Sequence, residues 1–267
     1  MKNSRRSTSW ELYDWLLGHV TATTTATTAT APCSTLQRVQ LGLQWTVAES
    51  DSVGLCFSPV DVPRTLPWPG TLVGKPVREV CEWLYSFDPA EASVAVAALN
   101  SLVNTQDNAC AARAESLTNV AGPAHLRVFS HFAEQLRGAN VVVVGRYPGL
   151  ERAFADLHYT CIERRANPDT LPDLASEYVL PEADYVFLTA SAIANKSLPR
   201  LLELSQEACV VLMGPSLPWL ADWADFGVDY LAGVVVSDTT LAWQVAAEGG
   251  GTRLFEGAVD YRLLRVS

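Results

Sequence analysis

Five short runs in the second half of the chain, at residues 140–144, 158–162, 185–188, 209–213 and 231–236, constrain the fold more than any other feature of the sequence. They are apolar almost throughout rather than at alternate positions, so both faces of each strand must be covered. That is the signature of a parallel sheet packed between helices. Their starts lie roughly 18 to 27 residues apart, which leaves room for one crossover helix in each gap. Covering helices follow from the 3.6-residue period. Residues 126–136 form one. Leu198, Leu201, Leu202 and Leu204 form another, with Ser197 as its cap and Pro199 in its first turn. Trp219, Leu220, Trp223 and Phe226 form a third, and Leu241, Trp243, Val245 and Ala246 a fourth.

The first half reads differently. Leu12, Trp15, Leu16 and His19 fall on one face of an opening helix at 10–20, with Ser9 before it as a cap. Residues 21–31 contain only Thr and Ala, with no large side chain to anchor them in a core, and are expected to be a flexible insertion. Val39, Leu41, Leu43, Trp45 and Val47 alternate with polar residues or glycine, which predicts one half-buried strand over 36–47. A second strand at 53–57, after the turn Glu49-Ser50-Asp51-Ser52, makes it a hairpin. Helices are predicted at 77–85 and at 89–103, the latter capped by Asp88. Gly122-Pro123 marks a boundary, so 1–121 reads as a small α+β domain and 122–267 as a larger α/β domain.

Composition narrows the function. Nineteen Lys and Arg against 29 Asp and Glu give a net charge of −10, which repels nucleic-acid backbones and anionic lipid surfaces. No apolar run approaches the roughly 18 residues that a membrane-spanning helix needs. Glu11 and Asp14 interrupt what would otherwise look like a secretion signal after Lys2, Arg5 and Arg6. A cytoplasmic protein with no nucleic-acid or membrane partner is expected. Cys33, Cys56, Cys81, Cys110, Cys161 and Cys209 form no Cys-x-x-Cys pair. The four histidines, His19, His125, His131 and His158, form no i, i+4 pair, so no local chelate is legible.

Ligands of open parallel sheets bind beyond the carboxyl ends of the strands, which directs attention to the loops there. Gly145-Arg146-Tyr147-Pro148-Gly149 permits a tight turn and close backbone approach, although it lacks the Gly-x-Gly-x-x-Gly order of a dinucleotide fingerprint. Glu163 stands where such domains place an acid for a ribose diol, and it reads equally as the partner of Arg164 or Arg165. Thr189, Ser191 and Asn195 supply hydroxyl and amide groups. Gly214, Pro215 and Ser216 form a polar bend, and Asp238 reads as either a helix cap or a ligand. Gly145, Arg146, Glu163, Thr189, Ser191, Asn195, Gly214, Pro215 and Ser216 are therefore the candidate binding residues. No catalytic residue and no metal ligand can be named, because no nucleophile–base pair is evident.

In Glu11-Leu12-Tyr13, Gly42-Leu43-Gln44-Trp45-Thr46, Ala97-Ala98-Leu99-Asn100 with Asn104, Val144-Gly145-Arg146-Tyr147-Pro148, Glu163-Arg164, Asn195-Lys196-Ser197, Gly214-Pro215-Ser216 and Glu248-Gly249-Gly250-Gly251, the chain resembles a two-domain family associated with heavy-metal chelation. The resemblance implies an enolase N-terminal-like domain followed by a Rossmann-like domain, with a ligand cleft between them. It implies a binding protein for a small molecule, a metal ion or a metal complex. A metal site would draw its ligands from distant loops or from a second subunit of a homo-oligomer, or the metal would arrive already held by a small molecule. The alternative is an enzyme using a nucleotide-like cofactor, S-adenosylmethionine or a nicotinamide, positioned by Gly145 and Glu163. An enolase reaction is not implied, because fold likeness does not carry function.

Overall fold

The computed structural model describes residues 9–26, 34–153, 155, 157–165 and 167–267. The opening helix α1 (Glu11–Ala26) buries Leu12, Tyr13, Leu16 and Val20 on one face. It continues through the first six residues of the Thr/Ala segment, where a loose insertion was expected. Alanine is the strongest helix former and threonine costs only a few tenths of a kcal/mol more, so a helix already anchored upstream propagates through them. The rest of that segment lies outside the described residues.

The alternating stretch at 36–47 is two strands, not one. β1 (Arg38–Leu41) folds back on β2 (Trp45–Glu49), pairing Leu41 with Thr46, and β2 pairs antiparallel with β3 (Val53–Phe57). Leu43, expected on the buried face, sits in the turn and is 81% exposed. Gly42 permits the turn: a Cβ there would stand 2.6 Å from the Ala246 carbonyl oxygen and 2.8 Å from that of Trp45. Helix α2 (Val77–Cys81), continued by a 3-10 turn at Glu82–Tyr85, leads to α3 (Pro89–Val103). Asp88 caps α3 by accepting from the Ala90 and Glu91 amides at 2.8 and 3.0 Å. The Ala- and Val-rich α3 lies against β3 so closely that a Cβ on Gly54 would stand 2.1 Å from the Ala97 carbonyl oxygen.

Short α4 (Ala109–Arg113) and β4 (Glu115–Ser116) follow, then α5 (Arg127–Phe132), which is shorter than the 126–136 helix expected. The five apolar runs are strands β5 (Val141–Val144), β6 (Tyr159–Ile162), β7 (Tyr185–Thr189), β8 (Cys209–Met213) and β9 (Tyr230–Val236). All five are parallel, in the spatial order β6-β5-β7-β8-β9. Between and after them run α6 (Leu150–Ala153), α7 (Ser176–Val179), α8 (Leu198–Leu204) and α9 (Thr239–Ala247). The aromatic helix expected near 219–226 is a 3-10 segment, Ala221–Phe226.

Two strands were not anticipated. β10 (Val259–Arg265) runs antiparallel to β9, and β4 pairs with its far edge, giving a seven-stranded sheet. The larger sheet therefore includes Glu115 and Ser116, which precede the expected boundary at 121. Both faces of the parallel strands are covered. Val142, Val186, Val210 and Leu212 join the core containing α1 to α3, while Val141, Val143, Phe187 and Val211 pack with Phe129, Phe132 and Trp243 on the other side. This two-sided burial is the physical reason the strands read as unbroken apolar runs.

Candidate functional site

The chain leaves β5 for β6 on one side and then returns to β7 on the other, so the connections diverge between β5 and β7. The carboxyl ends of that pair form the crevice where ligands of doubly wound sheets bind. Gly145, directly after β5, has φ +100°, and a Cβ there would lie 3.0 Å from Thr189 Cγ2 at the end of β7. Glycine is required by both the backbone conformation and the space.

Above this crevice opens a cavity of about 870 Å³. All nine candidate residues, Gly145, Arg146, Glu163, Thr189, Ser191, Asn195, Gly214, Pro215 and Ser216, lie on its wall, although they come from four separate loops. Gln44, Trp45, Phe57 to Asp61 and Ser93 close it from the side of the smaller sheet. The volume falls in the range of roughly 300–1,000 Å³ typical of small-molecule sites.

Several of these side chains already have structural duties. Glu163 Oε2 accepts from the Arg146 amide at 2.9 Å, and Oε1 lies 3.5 Å from the Arg165 amide, so its carboxylate ties together the turns after β5 and β6. It makes no ion pair with Arg164 or Arg165; those guanidiniums pair with Asp173 (3.1 Å) and Asp61 instead. Thr189 and Ser191 share a hydroxyl–hydroxyl hydrogen bond of 2.9 Å. Asn195 Oδ1 accepts from both the amide and the hydroxyl of Ser197, at 3.0 and 2.6 Å. Ser197 therefore does not cap α8 with its side chain, as expected from sequence, because its hydroxyl is spent on Asn195. Asp238 caps α9 by accepting from the Leu241 amide at 2.9 Å. Ser216 is nearly inaccessible: its hydroxyl accepts from the Phe57 amide at 2.9 Å and its carbonyl from Asn100 Nδ2 at 3.1 Å, which stitches this loop to β3 and α3.

Charge is unevenly committed. Of the cavity arginines, Arg164, Arg165 and Arg200 each face an acid, respectively Asp173, Asp61 and Glu177. The Arg200 guanidinium holds the Glu177 carboxyl below its ordinary value. No carboxylate among the described residues pairs with the Arg146 guanidinium. The cavity wall also carries residues that sequence reasoning did not single out for binding. Asp61 and Glu177 have their partners far away in the sequence, Arg200 pairs locally with Glu203 at 3.0 Å as well as with Glu177, and Phe255 and Tyr261 belong to the unanticipated end of the chain.

Lys196, between two cavity residues, has φ 68°, a conformation uncommon for a side chain of its kind. Its ammonium donates to the Ala194 carbonyl at 3.2 Å and lies 5.1 Å from the centre of the Tyr13 ring. Burial lowers its pKa to about 8.

Donors for a bare metal do not converge. Among the described residues no group of three His, Cys, Asp or Glu side chains could hold a metal ion. Cys56, Cys81, Cys110, Cys161 and Cys209 are unbridged, and burial pushes the Cys56 thiol up to about 12 and those of Cys110 and Cys161 up to about 11. Soft metals bind thiolates, which such thiols supply poorly. No described helix is long and apolar enough to cross a membrane.

A solved structure from Desulfitobacterium hafniense, of a DUF364 protein with unknown function, is similar over 96% of this chain and 98% of its own, with 26% identity and a TM-score of 0.81. A second, from Pyrococcus horikoshii, also of a DUF364 protein with unknown function, shares 18% identity and a TM-score of 0.71 over 96% of this chain and 100% of that one, and supports the fold alone. No curated protein matches. The sequence model DUF4213, described as "Putative heavy-metal chelation", matches residues 26–103. Since DUF364, which carries that same description, matches residues 127–265, just over half of its length, the chain belongs to the DUF364 family.

Proposed function

We propose that the protein binds a small anionic molecule, including a metal already held by an organic chelator, in the cavity between the two sheets. The observation that carries this reading is the convergence of the loops after β5, β6, β7 and β8 with the segment after β3 on one cavity, where Arg146 faces no acid among the described residues. Arg146 is exposed, and a guanidinium with no paired acid offers a planar fork of donors that fits a carboxylate or phosphate. The description of the family points to metals, and the donor set fits a chelate better than a bare ion because the described side chains offer no three convergent donors. Oxygen-rich loops also suit hard cations and their complexes better than thiophilic ones. Calorimetry with metal salts, free organic acids and their metal complexes tests the reading. Heat from the acids or complexes and none from the bare metals supports it; heat only from bare metals overturns it.

A second reading, an enzyme with S-adenosylmethionine or a nicotinamide as cofactor, is favoured by Gly145 at the crevice and Glu163 at the end of the neighbouring strand. Against it, α6 after the glycine turn spans four residues, Leu150–Ala153, among the described residues, so few peptide dipoles there align toward a phosphate. The Glu163 carboxylate is also occupied in part by backbone amides. A thermal-shift panel separates the two, since a cofactor at 100 times its dissociation constant adds about 2.7 kcal/mol of stability.

A further inference from the structure

We infer, on the reading just given, that the occupant is a flat conjugated anion, an aromatic or heteroaromatic carboxylate, and not an aliphatic polycarboxylate. The cavity wall is unevenly divided. Most of its charged residues, Glu163, Arg164, Arg165, Asp173, Glu177 and Arg200, come from the stretch after β6 and from α7 and α8, while Arg146 and Asp61 stand among the aromatic segments. Its aromatic residues come from β2, β3, the turn before α5, the loop after β5 and the end of the chain. Trp45 and Phe57 meet edge to face with ring centres 5.6 Å apart. His125, Phe255 and Tyr261 form a second series with centres 6.3 and 5.1 Å apart. The polar edges of two of these rings are already used: Trp45 Nε1 donates to the Gly251 carbonyl at 3.1 Å, and His125 Nε2 donates to that of Pro148 at 2.8 Å. Apart from His125 Nδ1, their remaining capacity for contact is the ring surface, which favours another flat ring over an alkyl chain.

An independent observation concerns polar capacity. The hydroxyl of Tyr261 is buried and has no hydrogen-bond partner among the described residues. Buried phenols normally find partners. Tyr261, only 4% exposed, lies in the cavity wall. A ring heteroatom or ring substituent, directly or through one water, completes it, while the carboxylate of the same molecule meets Arg146.

The experiment is calorimetry on the full chain with two dianions of equal charge and similar carboxylate spacing, benzene-1,2-dicarboxylate and cis-cyclohexane-1,2-dicarboxylate, with citrate and ferric citrate as further probes. The benzene compound is expected to bind about tenfold more tightly than its saturated counterpart, the gain of one well-placed aromatic contact. Phe255→Leu, at a half-buried position, should abolish the difference while leaving the unfolding midpoint close to wild type; Arg146→Ala should weaken both compounds alike. Equal affinities in the wild type, or binding of citrate or ferric citrate without either ring compound, overturn this inference while leaving the anion-binding reading standing. Failure of all four probes counts against both.

Discussion

The side chain of Asn104 brackets the backbone at Trp219. Its Nδ2 donates to the Leu217 carbonyl at 2.9 Å and its Oδ1 accepts from the Trp219 amide at 2.8 Å, the two bonds a neighbouring strand would make. Asn100, one turn back in α3, and Asn108, four residues on and the cap of α4, extend the pattern. Asn100 donates to Leu55 and Ser216 at 2.8 and 3.1 Å, and Asn108 to Trp219 at 2.9 Å. Three asparagines spaced by four thus read the segment that begins at the Gly214-Pro215-Ser216 cavity loop. The smaller sheet and its helix thereby set the position of a loop that belongs to the larger sheet.

Truncating Asn104 should therefore cost more than its own hydrogen bonds, because it leaves a donor and an acceptor unmet beside the fully buried Trp219. Asn104→Ala is expected to lower stability by about 2–3 kcal/mol in urea unfolding, and Asn104→Asp by less, since the acceptor for the Trp219 amide is kept. A loss below about 0.5 kcal/mol for the alanine variant contradicts the role assigned to this bracket.

Gly145 offers a comparison with an internal control. Gly138 also has positive φ, +76°, but a Cβ there meets nothing within 4 Å, whereas at Gly145 it presses on Thr189. Gly138→Ala should cost about 1 kcal/mol from the backbone alone. Gly145→Ala should cost more and should also displace the crevice between β5 and β7. Equal losses in chemical denaturation would mean that Thr189 moves aside freely.

Lys196 gives a pH dependence with a definite sign. Burial brings its pKa to about 8 in the folded chain against 10.5 for an ordinary lysine, so between those values the unfolded chain binds more protons. Its penalty on stability is then full below about pH 8 and is relieved as pH rises toward 10.5. Buried thiols such as Cys56, raised to about 12, act in the opposite direction above pH 9, so the wild type is best compared with Lys196→Met. Urea midpoints should shift in favour of the wild type relative to the variant across pH 8 to 10.5. A difference that stays flat over that range rejects the burial of this amine.

The five parallel strands were legible because burial on both faces leaves an unambiguous apolar run, as Val141 to Val144 illustrate. The capping of α3 by Asp88 was legible for a similar reason, since a cap is a local relationship over two or three residues. The turn at Gly42 was not, because alternation survives a tight reversal and the reason for the glycine, the Ala246 carbonyl, lies some two hundred residues away. β10 carried a readable signal, with Val259, Tyr261 and Leu263 alternating with Asp260 and Arg262, but it follows a parallel series and runs the other way. In the cavity, the nine residues after strand ends could be found from the rule about carboxyl ends. Asp61, by contrast, reaches Arg165 across 104 positions, and no local pattern announces such a pair.

The most direct test of the binding account is to locate a metal chelate by anomalous X-ray scattering in crystals grown with ferric dipicolinate, an iron complex of an aromatic dicarboxylate. The account predicts an iron peak inside the cavity, coordinated by the dicarboxylate, with the ligand ring against Phe255 and a carboxylate on Arg146. An iron peak ligated directly by protein side chains elsewhere, or a cavity free of iron at saturating complex, would contradict it.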